Sequence, residues 1–150
     1  MKVKLRKADS SDIEFLWHLR NQPEVFKFFK NPKPVAFQEH LAWIMPILEG
    51  VSSKELFVIE VEGKQAGQVR MDIEGEEAQI SVSLLPKFQG KGIAYVALKM
   101  MVEKMKKKKK IKILQAEIHQ DNIASQKLFA RLGFCLHKQE GEWQKYQYES

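Results

Sequence analysis

The residues best suited to chemistry lie together in Leu84-Leu-Pro-Lys-Phe-Gln-Gly-Lys-Gly-Ile-Ala94. An alternating, strand-like run ends at Leu84 or Leu85, a turn bearing Gly90 and Gly92 follows, and a helical pattern starts near Gly92. Amides in such a turn converge on one spot, and the helix dipole adds positive potential there, so the pattern suits a pyrophosphate. Glycines leave the amides open to phosphate oxygens that side chains would obstruct. Two phosphate signatures are excluded: GxxxxGK[ST] is absent, and GxGxxG fails where Tyr95 takes the third glycine position. On the pattern alone, a plain strand-to-helix connection with convenient glycines is the alternative.

Other candidates are spread along the chain. Arg20 and Asn21, at the end of a helical segment, could meet a diphosphate or sugar hydroxyls. Phe26, Phe28, Phe29 and Trp43 either offer flat faces to a base or pyranose, or pack two helices together. His40 either relays a proton or serves structure. His18, His119 and His137 lack metal-ligand spacing, so no metal site is expected. The single cysteine, Cys135, permits no internal disulfide and is expected to be buried and inert.

These residues need elements to place them. Val3 to Lys7 alternates as a first strand, and Ser11-Asp-Ile-Glu14 has the form of a capping box for a helix running to about Arg20. The aromatic segment Glu24 to Pro34 predicts a loop or short helix, and a second helix opens near Phe37, with Pro46 expected to kink or end it. Leu56–Val61, Gln65–Ile73 and Ala78–Leu84 read as three strands joined by turns. Ile93, Val96, Ala97, Met100 and Met101 then switch to helical period. Ile111 to Ile118 is a further strand, Asp121 or Asn122 caps a fourth helix, and Phe134 to Tyr148 forms a hairpin around Glu140-Gly141.

Composition narrows the function classes. At 150 residues with 44% hydrophobic and 29% charged, the chain is expected to be one globular domain over 1–150 rather than a disordered or coiled-coil protein. No apolar run reaches membrane-spanning length and the start lacks a signal-peptide centre, so the expectation is a cytoplasmic protein with no membrane partner. The net charge of +6 comes from one place: of 25 basic residues, seven are the lysines at 104, 106–110 and 112, and the other 18 face 19 acidic residues. That run suits a solvated helix end near the negative pole of the dipole, and no nucleic-acid partner is expected.

Gln89-Gly-Lys-Gly-Ile-Ala94 resembles the Q/R-x-x-G-x-G/A acyl-CoA motif of the GNAT N-acetyltransferase superfamily. His119-Gln-Asp-Asn-Ile-Ala-Ser-Gln-Lys-Leu-Phe-Ala-Arg-Leu-Gly-Phe134 resembles the family's N-x-x-(A/S)-…-(Y/F)-…-L-G-F signature. The resemblance implies an α/β (α+β) fold, with a mixed, mostly antiparallel sheet splayed between its fourth and fifth strands and about four flanking helices. It also implies that the amides of Gln89, Gly90, Lys91, Gly92, Ile93 and Ala94 hold the pyrophosphate of acetyl-CoA. Leu84 and Leu85 would pair with the pantetheine arm, one of their amides serving as oxyanion donor. Asn122 and Ser125 match positions that touch pantetheine or phosphate, although Asn122 equally suits a helix cap.

Two positions depart from the pattern. Phe129, in the cofactor-contacting set, stands where many members have a tyrosine that protonates the leaving thiolate, and Gln79 stands where many have a glutamate base. Releasing a thiol of pKa about 8.5 as thiolate at pH 7 costs about 2 kcal/mol, which slows the reaction without forbidding it. The segments around Arg20-Asn21-Gln-Pro-Glu-Val25 and Glu39-His-Leu-Ala-Trp43 resemble two GNAT branches. One acetylates nucleotide-linked amino sugars, as in the pseudaminic-acid pathway; the other is the RimJ/RimL-like group, which acetylates protein N-termini. The expectation is an acetyl-CoA-dependent N-acetyltransferase acting by direct attack in a ternary complex, preferably on a nucleotide-linked amino sugar. Its acceptor side would use Arg20, Asn21, Phe26 and Trp43, with Leu84, Leu85 and His40 as the catalytic candidates. The alternatives are N-terminal acetylation and a catalytically weak acyl-CoA-binding regulator; a polyamine or antibiotic acceptor is disfavoured, since the acceptor segment carries no concentrated acidic patch for a polycation. A homodimer is admitted by the reading but not required by it.

Overall fold

The computed structural model describes residues 1–108 and 110–148, so Lys109 of the lysine run lies outside the described residues, as do Glu149 and Ser150. Seven strands form one sheet: β1 (Val3–Lys7), β2 (Lys54–Val61), β3 (Lys64–Glu74), β4 (Glu77–Leu84), β5 (Ile113–His119), β6 (Phe134–Glu140) and β7 (Trp143–Tyr148). Their order is β1-β2-β3-β4-β5-β7-β6. Every neighbouring pair is antiparallel except β4 and β5, which run parallel and pair over three residues only, Glu77–Gln79 against Ile113–Gln115. Beyond Gln79 the two strands part, and the expected splay begins there.

Alternation along the strands builds two cores. Phe57, Ile59, Ile80, Leu84, Leu114, Ala116 and Ile118 point to one face, under α4 (Ile93–Lys107) and α5 (Ile123–Arg131). Leu56 and Val58 point to the other, where α1 (Ile13–Arg20) and α3 (Phe37–Leu48) cover them with Leu16, Leu19, Ile44 and Ile47. A fifth helix, α2 (Pro23–Phe26), is a single turn with Pro23 at its start. Pro23 therefore opens a new helix after α1 has already ended.

Several local expectations shift. The capping box lies two residues earlier than Ser11: the Asp9 side chain accepts from Ser11 N and Asp12 Oδ2 accepts from Asp9 N, around a 3-10 turn at Ser10–Asp12. Asp12 is drawn into that role because it is fully buried and held by Arg6 through two bonds of 2.8 Å, with Gln65 at 2.7 Å. Burial alone would raise its pKa, but Arg6, the Asp9 amide and Gln65 hold it below the usual carboxylate value. Pro46 does not end α3, which runs on to Leu48 because Ile44 and Ile47 are both buried and anchor the last turn. The residue after it closes the helix, with Glu49 N donating to Met45 O.

Cys135 is exposed, contrary to expectation. It lies on β6, an edge strand where only Phe134 is buried. The lysines at the end of α4 lie along the surface as expected of a helix end: Lys104 Nζ is 4.6 Å from the Phe57 ring centroid, Lys106 Nζ 5.1 Å from that of Tyr148, and Lys108 pairs with Glu55 at 3.7 Å.

Candidate active site

The end of β4 and the turn after it form one unit. Leu85 N donates to Ala66 O at 2.9 Å, so that amide is committed to β3. Main-chain groups alternate along a strand, so the N–H and C=O of Leu84 point the opposite way, into the gap left by β5. Of the two leucine amides, Leu84 is the one aimed at the splay; Leu85 is excluded as an oxyanion donor by its bond to Ala66. Gly67 sits opposite Leu84, and a Cβ there would lie 2.1 Å from the Ser83 carbonyl oxygen. β3 and β4 thus approach so closely at this point that only glycine fits. In the sequence, Gly67 is marked only by its position inside an apolar strand.

Phe88 N and Gln89 N donate to Leu85 O and Pro86 O, closing a 3-10 turn at Pro86–Phe88. The Gln89 amide is therefore used internally, a correction to the cradle expected from sequence. Gln89 instead donates from Nε2 to Leu84 O at 3.0 Å. From Gly90 to Ala94, no amide among the described residues donates to a main-chain carbonyl. Gly90 and Gly92 have φ of +74° and +79°, and an added Cβ on either would meet nothing within 4 Å. The glycines are required by backbone conformation, and the space before them is open. No side chain caps α4 and no acid stands in its first turn. Free amides, open space and the positive end of a 15-residue helix make a fit for a pyrophosphate.

On α5, Asn122 Oδ1 accepts from Ser125 N at 3.2 Å, so Asn122 is the helix cap, with Ser125 in the first turn beside it. Phe129 is buried at 3% exposure in the α4-side core, its ring edge against Phe134 at 5.1 Å. It lines the core rather than offering a face to solvent.

The acceptor-side residues take roles that differ from expectation. The Arg20 guanidinium donates to Asn31 O and Lys33 O, both at 3.0 Å, and lies over the rings of Phe26 and Phe29. Asn21 donates to Val35 O at 3.0 Å and accepts from Val35 N at 2.7 Å, while Trp17 Nε1 also donates to Val35 O. These side chains fasten the segment between α2 and α3, and Arg20 and Asn21 spend their polar groups on it. Trp43 lies at a tilt to the His40 ring, with centroids 5.9 Å apart, and the Arg70 guanidinium is 5.6 Å from its ring centroid.

His40 is corrected from a catalytic candidate to a structural residue. It is 4% exposed, its Nε2 has no partner, and burial, then the charge of Arg20, lowers its pKa against the pull of the Ile13 carbonyl. It is neutral at pH 7 and enclosed between α1 and α3.

The fastened segment crosses the sheet and lands on β5. Phe28 stacks on His119 with centroids 5.6 Å apart, and Lys30 Nζ lies 2.8 Å from Glu117 Oε1 and 5.2 Å from the centroid of Trp143. Gln115 is the last β5 residue paired with β4, so Glu117, two residues on, is the first side chain of that face beyond the splay. In the parallel register it would stand across the gap from Ser81. Its side chain is 15% exposed. In the sequence, Glu117 reads only as one polar position in an alternating strand. Among the described residues, no group of His, Cys, Asp and Glu could hold a metal ion.

A family model described as Acetyltransferase (GNAT) domain matches residues 2–135. This chain belongs to the GNAT acetyltransferase family. It is similar to the spermidine N(1)-acetyltransferase of Escherichia coli K12, 26% identical over 143 residues, covering 93% of this chain and 75% of that protein. In fold it is similar to the spermidine N-acetyltransferase of Vibrio cholerae, solved with CoA and spermine, at a TM-score of 0.83 and 18% identity, over 97% and 92% of the two chains. It is equally similar to RimL, a ribosomal L7/L12 alpha-N-protein acetyltransferase solved with CoA, at a TM-score of 0.83 and 21% identity, over 98% and 92%. As a GNAT N-acetyltransferase the chain acts on an amine, and its sheet carries the parallel β4–β5 splay of that fold. No helix among the described residues is long and apolar enough to cross a membrane.

Proposed function

We propose that this chain transfers the acetyl group of acetyl-CoA to a primary amine that arrives as a cation. The observation carrying the acceptor reading is Glu117, a largely buried carboxylate at the mouth of the splay with the Trp143 ring nearby. A carboxylate beside an aromatic face is a seat for an alkylammonium.

The other roles follow from the geometry. The amides from Gly90 to Ala94 and the α4 dipole would hold the pyrophosphate, with Asn122 and Ser125 at the neighbouring helix start. When bound, acetyl-CoA supplies an activated acyl carbon. Leu84 N–H, held in place by Gly67 and Gln89, faces the gap as donor to the negative charge that develops on the acyl oxygen. Glu117 binds the acceptor nitrogen and offers a path by which the proton shed before attack passes to water. As the C–N bond formed and the C–S bond broke, the nitrogen would shed its second proton to water, and the departing thiolate would take one from water, since Phe129 has none to give.

The nucleotide-linked amino sugar draws on the resemblance of segments 20–25 and 39–43 to one GNAT branch and on Arg20, Asn21, Phe26 and Trp43, whose side chains are each engaged within the protein itself. N-terminal acetylation shares the ammonium seat and is separated by experiment. The test is free-thiol release from acetyl-CoA with spermidine, N-terminal peptides and UDP-amino sugars as acceptors. Release with spermidine, and a rise of about tenfold in its KM in Glu117→Gln, is expected. Release with a UDP-amino sugar alone would overturn the cationic acceptor, and no release with any amine, while CoA still binds, would favour a regulator.

A further inference from the structure

We propose that Lys30 is a built-in competitor for the acceptor: its ammonium occupies the seat between Glu117 and Trp143 and must be displaced before a cationic amine can bind. The inference rests on the acceptor reading of Glu117.

A lysine side chain is itself a primary alkylamine, the same group as the acceptor. Lys30 Nζ makes both contacts that such a group would seek, 2.8 Å to Glu117 Oε1 and 5.2 Å to the Trp143 centroid. No other described cation lies within ion-pairing distance of Glu117: Lys145, opposite it in the β5–β7 register, pairs with Glu140, and Arg70 with Asp72. Lys30 is therefore the charge that neutralises this acid.

The backbone delivers Lys30 to that point. On one side Phe28 is stacked on His119; on the other the Arg20 guanidinium holds Asn31 O and Lys33 O. Yet the Lys30 side chain is 63% exposed while that of Glu117 is 15% exposed. The lysine can swing into water on its flexible stem with the strand and the segment backbone unmoved, which leaves the acid ready for another cation. An acceptor that merely trades one ammonium for another gains little. The exchange favours amines with a second anchoring group.

The experiment measures KM for spermidine and, separately, calorimetric binding of spermidine to CoA-saturated protein, in Lys30→Ala, Lys30→Arg and Glu117→Gln. In Lys30→Ala, KM and Kd for spermidine are expected to fall about tenfold with no matching fall in kcat, as an ion pair and a cation–π contact no longer compete. Lys30→Arg, which keeps the cation, should stay near wild type. An unchanged or raised KM in Lys30→Ala, with Glu117→Gln still raising it, would overturn the competitor and leave the seat standing. No change in Glu117→Gln would overturn the seat, and this inference with it.

Discussion

Gln89 Nε2 donates to the carbonyl oxygen of Leu84 at 3.0 Å, so the residue that opens the glycine turn also pins the strand end that faces the splay. Phosphate cradle and acyl-oxygen donor are thereby set at a fixed offset from each other. A side-chain bond to a strand-end carbonyl is worth about 1 kcal/mol. Gln89→Ala should lower global stability by no more than about that, yet reduce kcat/KM for acetyl-CoA by about tenfold. Denaturant melts alongside steady-state kinetics check this; equal kinetics would separate the two sites.

Gly92→Glu should abolish CoA binding by calorimetry while the chain still folds. The new side chain meets no atom, but the φ of +79° costs a non-glycine residue about 1 kcal/mol, and a carboxylate repels phosphate at the helix start.

Gly67→Ala is expected to be far more harmful than its one methyl suggests. Its Cβ would stand 2.1 Å from the Ser83 carbonyl oxygen, a main-chain atom that can yield only if β4 moves. Stability should fall by about 3 kcal/mol or the chain fail to accumulate, as a thermal melt would show.

Much of this was legible beforehand. All seven strands and the long helices announce themselves by period, and Gly90 and Gly92 stand where the α4 turn needs them. Capping choice at Asp9 was not readable, because it depends on Arg6 and Gln65 reaching Asp12 across the sheet. Arg20 and Asn21 looked like ligand binders because exposed-looking polar side chains at a helix end carry no mark of a partner eleven to fourteen residues away. Glu117 gained meaning only once the register showed that β4–β5 pairing stops at Gln115.

Asn21→Ala removes both bonds to Val35 and should loosen the segment that carries Phe28 and Lys30. Stability should drop by about 1–3 kcal/mol, with KM for the amine altered and CoA affinity unchanged. An altered CoA affinity in calorimetry would contradict the division between the two sides.

Two buried groups predict how stability follows pH. Asp12 titrates below the ordinary carboxylate range when folded, so its contribution is whole above about pH 4 and is lost as pH falls through the folded value. His40 is also lowered, and the unfolded chain takes up a proton near pH 6.5 that the folded chain refuses. Stability should therefore decline as pH drops below about 6.5, and His40→Phe should flatten that decline between pH 7.5 and 5.5 in urea titrations.

The exposure of Cys135 has a practical consequence at the bench. As the chain's single cysteine, open on an edge strand, it provides one addressable thiol for a fluorophore or spin label without engineering. The same thiol will consume one equivalent of any disulfide reagent used to follow CoA release, so each progress curve starts from a step whose height counts the enzyme.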